Sequence, residues 1–274
     1  MIPNILHFVF GMAPDFGGKP FSLVHYLSIR SAVELNRPDA VIFHYQYEPE
    51  GSWWEKAKPL VTLRPIKAPE EIMGNPLKHV AHQADVVRLR ALQETGGIYL
   101  DLDTISVKPL SSLLVNEFVI GQELKAAFVP RNWRQRLKMR LGWIKTGEAS
   151  TGLCNAVLLS APNSRFVNRW LEEYKNFRSA GRDKYWNEHS VLVPQRLAAL
   201  YPDELTQLGP YAFHYPLYNE EGLRMMFEEQ HEFPEAFLHH LWESFAWDKY
   251  MKALSREDIL QTDSTYNLIA RKYL

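Results

Sequence analysis

Apolar and polar positions along the first hundred residues switch between a period near two and a period near 3.6. Residues 4–10 are a β-rich apolar run bounded by Pro3 and Gly11, which predicts a first strand. Over residues 21–35, Leu23, Leu27, Val33 and Leu35 fall at helical spacing, and Asn36-Arg37-Pro38-Asp39 stops the helix. Residues 40–47 and 60–66 predict the next strands, with a short helix over 52–58 between them. After a loop marked by Pro65, Pro69 and Pro76, the spacing predicts a helix over 79–95. Gly96 closes it, and a buried strand follows over 98–103. Further strands are predicted over 118–121 and 154–160. A helix is predicted over 164–178, with Phe166, Val167, Trp170, Leu171 and Tyr174 on one face. Beyond residue 200 the pattern is mixed. Short helical pieces close the chain over 248–274, with Asp263 and Ser264 as cap candidates. Strands that alternate with helices imply an α/β fold whose mostly parallel sheet is covered by helices.

Composition narrows the function. The 274 residues carry 31 Lys plus Arg against 32 Asp plus Glu, and that near-neutral balance argues against a nucleic-acid partner. A single cysteine, Cys154, excludes an internal disulfide and a four-cysteine zinc site. No run reaches the about eighteen apolar residues of a membrane span, and the start of the chain lacks the marks of a signal peptide. These features predict a reduced, cytoplasmic protein.

The most informative stretch is HQADVVRLRALQETGGIYLDLD, residues 82–103. If the predicted strand runs through to Asp103, Ile98, Leu100 and Leu102 share one face and Tyr99, Asp101 and Asp103 the other. The carboxyl end of a buried strand is where open α/β sheets bind ligands. Two carboxylates held close repel each other unless a divalent cation neutralises them. Oxygen-ligated Mg²⁺ or Mn²⁺ suits such a pair, and these ions complete their shells with phosphates. The bland alternative is a solvated strand end. On the helix before this strand, Asp85 and Arg88 stand three residues apart. They are either a surface ion pair or a fixed donor–acceptor pair for sugar hydroxyls.

The string ADVVRLRALQETGGIYLDLDT resembles the signature of the DxD sugar transferases of glycosyltransferase family thirty-two. IPNILHFVFG, CNAVLLSAPNSRFVNRW and LHHLWESFAW extend the resemblance over residues 2–247. The resemblance implies a GT-A fold, a nucleotide-sugar donor and a retaining reaction. It implies that Asp103 ligates the metal directly, that Asp101 contacts the donor and reaches the metal through water, and that Asp85 and Arg88 hold donor hydroxyls. It further assigns His240 to the metal, Trp242 or Trp247 to the donor phosphates, and Asn155 to the donor sugar. His7, Phe8, Val9 and Phe10 would form the base wall, with Tyr99 beside the donor. Mn²⁺ is expected ahead of Mg²⁺. Where relatives often carry tryptophan in the first strand, this chain has Phe8 and Phe10, which leaves uridine and guanosine open, with a UDP-sugar favoured. His239 and His240 are adjacent, and only alignment on Leu241-Trp242 selects between them. Eukaryotic relatives are typically Golgi-anchored, so a chain without a span implies a bacterial-type cytoplasmic form.

Because these candidates come from residues 7, 85, 103, 155 and 240, one domain over 1–274 is expected. Two segments stand apart. Tyr185-Trp186-Asn187-Glu188-His189-Ser190 is a candidate wall for a saccharide or glycolipid acceptor, with Glu188 as its first catalytic candidate; a helix cap before core packing is the alternative. RNWRQRLKMRLGWIK, residues 131–145, carries no acid and, as a helix, aligns Trp133, Leu137, Leu141 and Ile144 beside Arg134, Arg136, Lys138 and Arg140. It is a lid (taken to residue 146), a peripheral contact with an anionic membrane surface, or a solvated helix. Metal-dependent transfer of a sugar is the leading reading. A nucleotide-sugar phosphoesterase and a non-catalytic sugar-binding protein are the alternatives.

Overall fold

The computed structural model describes residues 1–124, 133–141 and 151–274. In chain order the first elements are β1 (Ile5–Phe10), α1 (Leu23–Asn36), β2 (Ala40–Tyr45), α2 (Ser52–Ala57) and β3 (Thr62–Pro65). A small hairpin of β4 (Glu71–Ile72) and β5 (Asn75–Pro76) leads to α3 (Val80–Thr95), β6 (Gly97–Leu100) and β7 (Thr104–Ser106). Then come β8 (Phe118–Leu124), α4 (Trp133–Arg140), β9 (Thr151–Ser160), α5 (Arg165–Glu172), α6 (Val193–Leu200) and β10 (Thr206–Leu208). The chain ends through α7 (Glu220–Phe227), β11 (Leu238–His240), α8 (Glu243–Ala246), α9 (Arg256–Gln261) and α10 (Thr265–Ala270).

The central sheet has the order β10-β8-β9-β6-β1-β2-β3. Strand β1 pairs in parallel with both β2 and β6, β2 with β3, and β8 with β10; β9 runs antiparallel to β6 and β8. The expected α/β class with a mostly parallel sheet is therefore the one present.

Side-chain alternation sorts the core into two layers. Ile98, Leu100 and Leu102 join Leu6, Phe8 and the α1 residues Leu23 and Leu27. Tyr99 points the other way, into a layer with Val86 and Leu89 of α3 and Phe166 and Trp170 of α5. Helices α1 and α3 thus cover opposite faces. The chain leaves β1 toward β2 on one side and returns as β6 on the other, so the topological switch lies between β1 and β6, where their carboxyl ends open a crevice.

Among the predicted boundaries that move, two have a clear local cause. The strand expected over 98–103 stops at Leu100, and residues 101–103 form a turn closed by Thr104 Oγ1 donating to the Asp101 carbonyl at 2.8 Å. The helix expected over 164–178 is α-helical only to Glu172 and tightens into a 3₁₀ turn over Glu173–Asn176, where Tyr174 stacks on Phe177. Ser164 caps its start and Ser264 caps α10, each accepting a backbone N–H. Among the described residues no helix is long and apolar enough to cross a membrane.

Candidate active site

Strand β6 is set in place by Gly96 and Gly97. At Gly96 (φ 65°) a Cβ would stand 2.6 Å from the Pro162 nitrogen; at Gly97 (φ 115°) it would stand 2.5 Å from the Ile5 carbonyl oxygen. Both dihedrals and both contacts exclude a side chain, so the Gly-Gly pair lets α3 turn directly into a strand pressed against β1.

Behind the crevice lies a buried polar network. Arg88 reaches from α3 to place Nη1 3.1 Å from Asp101 Oδ1 and Nη2 3.4 Å from Asp85 Oδ1. Nη1 also donates to the Asn155 carbonyl at 2.8 Å, and Asn155 Nδ2 donates to Asp85 at 2.7 Å. Tyr99 donates its hydroxyl to Asp101 Oδ1 at 2.5 Å, and the guanidinium lies 4.4 Å from the Tyr99 ring centre. Asp85 and Arg88 are 5% and 6% exposed, so the surface ion-pair alternative is excluded. Burial opposes the Arg88 charge, but Asp101, Tyr99 and Asp85 outweigh it and raise its pKa. Burial raises the Asp101 carboxyl against the pull of Arg88, and the Asp103 charge adds to the rise.

The other half of the site depends on a long-range ladder. Strand β11 pairs antiparallel with β7, His240 opposite Thr104, and Leu241 N–H donates to the Asp103 carbonyl at 2.7 Å. His240 Nε2 then lies 3.2 Å from Asp103 Oδ2. Trp242 adopts a left-handed conformation (φ 56°), which turns the chain so that Glu243 N–H donates to the same oxygen at 2.7 Å. The Glu243 carboxylate bridges Lys19 Nζ at 3.0 Å and His25 Nε2 at 2.8 Å. Burial alone would raise the Asp103 carboxyl; the His240 charge and hydrogen bond and the Glu243 amide hold it well below the carboxylate range. Burial likewise opposes the His240 imidazolium, and Asp103 reverses that and raises its pKa.

Ligand atoms of Asp101, Asp103 and His240 all lie within 4.8 Å of one another. Two carboxylates and an imidazole suit a divalent cation, which would also remove the repulsion between the two acids. The three line a cavity of about 460 Å³ at the β1/β6 switch, together with Val9, Phe10, Arg88 and Tyr99.

The remaining sequence candidates lie elsewhere. Phe8 is buried in the core, and His7 faces His44 (Nδ1 to Nε2, 3.1 Å) and the Gly96 carbonyl, because β1 sits centrally and only its carboxyl end reaches the crevice. Asp85 and Asn155 stand behind the wall. Trp242 is buried with Nε1 bonded to the Pro216 carbonyl at 2.7 Å, and Trp247 stacks on His25, so neither lines the cavity. Glu188 is paired with Arg178 Nε at 3.0 Å and borders a separate depression, while its neighbour Trp186 lines the main cavity. His239, buried, bonds the Tyr215 carbonyl instead of Asp103. Lys19, His25, Arg182 and Glu243 were not singled out in the sequence. Lys19 sits in a Gly/Pro loop and Arg182 in an aromatic-basic run, and only a search for cations near Gly-rich turns would have marked them. Trp133 and Leu137 of α4 and Leu141 just after it are exposed; Arg131, Ile144 and Lys145 lie outside the described residues.

Residues 37–120 match the glycosyltransferase sugar-binding region containing the DXD motif. The whole chain is 35% identical over 280 residues to glucan organizing enzyme 1 of Cryptococcus neoformans var. grubii, of which it covers 71%. Similar solved structures include mouse xyloside xylosyltransferase 1 (13% identity, 89% of this chain and 99% of that one, TM-score 0.49). Another is the galactosyltransferase LgtC in complex with donor and acceptor sugar analogues (14% identity, 98% and 96%, TM-score 0.45). The chain belongs to the glycosyltransferases that carry the DXD-containing sugar-binding region.

Proposed function

We propose that this glycosyltransferase moves a sugar from a nucleotide diphosphate donor, UDP ahead of GDP, to a saccharide or lipid-linked acceptor, with retention and with a divalent ion. The observation that carries the reading is the convergence of Asp101, Asp103 and His240 on one edge of the switch-point cavity. Asp103 and His240 would hold the ion, with Asp101 beside them; Mn²⁺ suits a set that includes a nitrogen better than Mg²⁺ does. When bound, the ion supplies Lewis-acid stabilisation to the leaving diphosphate. Lys19 and Arg182 on the cavity wall add positive charge for the same phosphates. Val9 and Phe10 offer an apolar wall for the base. Asp85 and Asn155 act through Arg88, which they fix against Asp101. The acceptor hydroxyl attacks from the face the diphosphate leaves, and that diphosphate takes its proton. The fungal relative's name, glucan organizing enzyme 1, supports a polysaccharide setting for the acceptor. Cytoplasmic placement, with membrane contact through residues 131–145, belongs to the same reading.

The test is transfer from a panel of nucleotide sugars with Mn²⁺, with the anomeric configuration of the product read by NMR. Acceptor-dependent, chelator-sensitive formation of an α-linked product from an α-linked donor is expected. Activity indifferent to chelator, an inverted product, or donor hydrolysis that no acceptor changes overturns the reading, the last in favour of a phosphoesterase.

A further inference from the structure

His240 faces two ways. Its Nε2 meets Asp103, while its Nδ1 is buried without a hydrogen-bond partner among the described residues. On that second side stand Cys154 of β9 and His214, and ligand atoms of Cys154, His214 and His240 all lie within 4.8 Å of one another. His214 is fully buried, and neither of its ring nitrogens has a partner among the described residues. Other buried histidines are bonded: His7 to Gly96, His189 to Glu173 and His239 to Tyr215. An unpartnered buried polar group costs about 1–3 kcal/mol, so three such nitrogens around one thiol call for an explanation.

The local backbone makes room for them. Gly121 pairs with Cys154 at the irregularity in the β8/β9 ladder, and a Cβ there would stand 3.1 Å from His214 Nε2. A glycine at this register position lets the imidazole approach the sheet beside the thiol. Glu123, two residues on, stands close to the Cys154 side chain.

We propose that Cys154, His214 and His240 form a second cation site, for Zn²⁺, behind the Asp101–Asp103–His240 cluster, and that the two sites exclude one another. One thiolate and two imidazoles are a soft set, which binds Zn²⁺ far more tightly than Mn²⁺ or Mg²⁺. Ligand atoms around a tetrahedral Zn²⁺ are about 3.5 Å apart, given bond lengths of about 2.0–2.3 Å, so modest side-chain rotation closes the set. Binding releases the thiol proton as the zinc–sulfur bond forms and, where His240 is an imidazolium, its Nδ1 proton as the zinc–nitrogen bond forms. A neutral imidazole carries one lone pair and one N–H, so His240 serves one ion at a time. Zn²⁺ on Nδ1 holds Nε2 as a proton donor toward Asp103 and so keeps it from ligating an ion in the oxygen-rich site. Zinc thereby inhibits the enzyme from behind its own active site.

Co²⁺ is the spectroscopic probe, because a cobalt–thiolate bond gives a charge-transfer band in the near ultraviolet. The wild-type chain with Co²⁺ is expected to show that band, Cys154→Ser to lose it, and His214→Asn to weaken Co²⁺ binding at least about tenfold. Asp103→Asn is expected to keep it. Absence of the band in the wild type, its persistence in Cys154→Ser, or its loss in Asp103→Asn overturns the proposal. Near-ultraviolet circular dichroism of each variant verifies folding, and Cys154→Ser, nearly isosteric, suffices alone if His214→Asn does not fold. The inhibition arm rests on the proposed transferase reaction. Micromolar Zn²⁺ against saturating Mn²⁺ should inhibit the wild type and spare Cys154→Ser, and equal inhibition of both overturns the exclusion. If no transfer is found at all, the transferase reading has failed while the cobalt result still decides the site.

Discussion

His240 Nε2 stands 3.2 Å from Asp103 Oδ2, and the Glu243 amide donates to that same oxygen at 2.7 Å. Two segments far apart in sequence thus fix one carboxylate as an anion before any ligand arrives. Asp103 also lines the cavity. Asp103→Asn keeps the backbone bond from Leu241 and much of the shape but removes the charge. It is expected to lower transfer by about a thousandfold, the several kcal/mol that metal stabilisation of a leaving group supplies. The melting temperature should change by only a few degrees. Retention of more than a tenth of the wild-type rate would remove Asp103 from the metal.

Arg88 is a sharper test of stability than of chemistry. It is buried between Asp85 and Asp101 and also holds the Asn155 carbonyl. Arg88→Met strands the Asp85 carboxylate in the interior and takes the cation from Asp101 at the cavity edge, and removing one partner of a buried ion pair costs about 3–5 kcal/mol. Adding Asp85→Asn should restore part of that loss, since the amide can still bond Asn155. Urea denaturation of the single and double variants measures both terms; losses that simply add would mean the two side chains are uncoupled.

The helix over 80–95, the Gly-Gly turn and the apolar alternation of Ile98, Leu100 and Leu102 were legible because each is set by local spacing. That the acids share a site was legible too, but for an incomplete reason. They leave the strand at Leu100, and the β7/β11 ladder, not strand alternation, sets Asp103. Nothing local marks Trp242 as the left-handed residue that aims the Glu243 amide; the family resemblance places it on the donor phosphates, and in the structure it is buried at the turn. Likewise His214 carries no sequence sign, because its meaning comes from the Gly121–Cys154 register.

His7 and His44 predict a pH dependence. Burial lowers the His7 pKa from 6.5 to about 4, and burial, then His7, lowers His44 to about 3. Below pH 6.5 the unfolded chain therefore binds protons that the folded chain refuses. Stability should fall as the pH drops from about 6.5 toward 3–4, by on the order of several kcal/mol for the pair. Acidic groups add their own slope, so the informative quantity is the difference between wild type and His44→Asn in urea denaturation at pH 4.5 and 7. That difference should narrow at the lower pH, where the wild type bears the cost of refusing a proton at His44. An unchanged difference would place the proton uptake elsewhere.

The last prediction concerns α4. Trp133, Leu137 and Leu141 recur every four residues and are 69%, 48% and 53% exposed, with Arg134 and Arg140 also exposed. Apolar side chains at that spacing share one face, and leaving three of them in water is unfavourable unless something covers them. A basic helix with an uncovered apolar face suits the boundary of an anionic bilayer, where each basic residue adds about 1 kcal/mol. The chain should therefore co-sediment with vesicles containing acidic lipid at low salt, and release as salt screens the charge. Arg134→Gln should weaken binding about fivefold, the equivalent of about 1 kcal/mol. Trp133→Ser should weaken it as well, because the apolar face supplies the rest. Neutral vesicles should bind poorly. Equal binding to neutral and acidic vesicles would exclude the electrostatic share, and no binding to acidic vesicles at low salt would leave α4 a solvated surface helix.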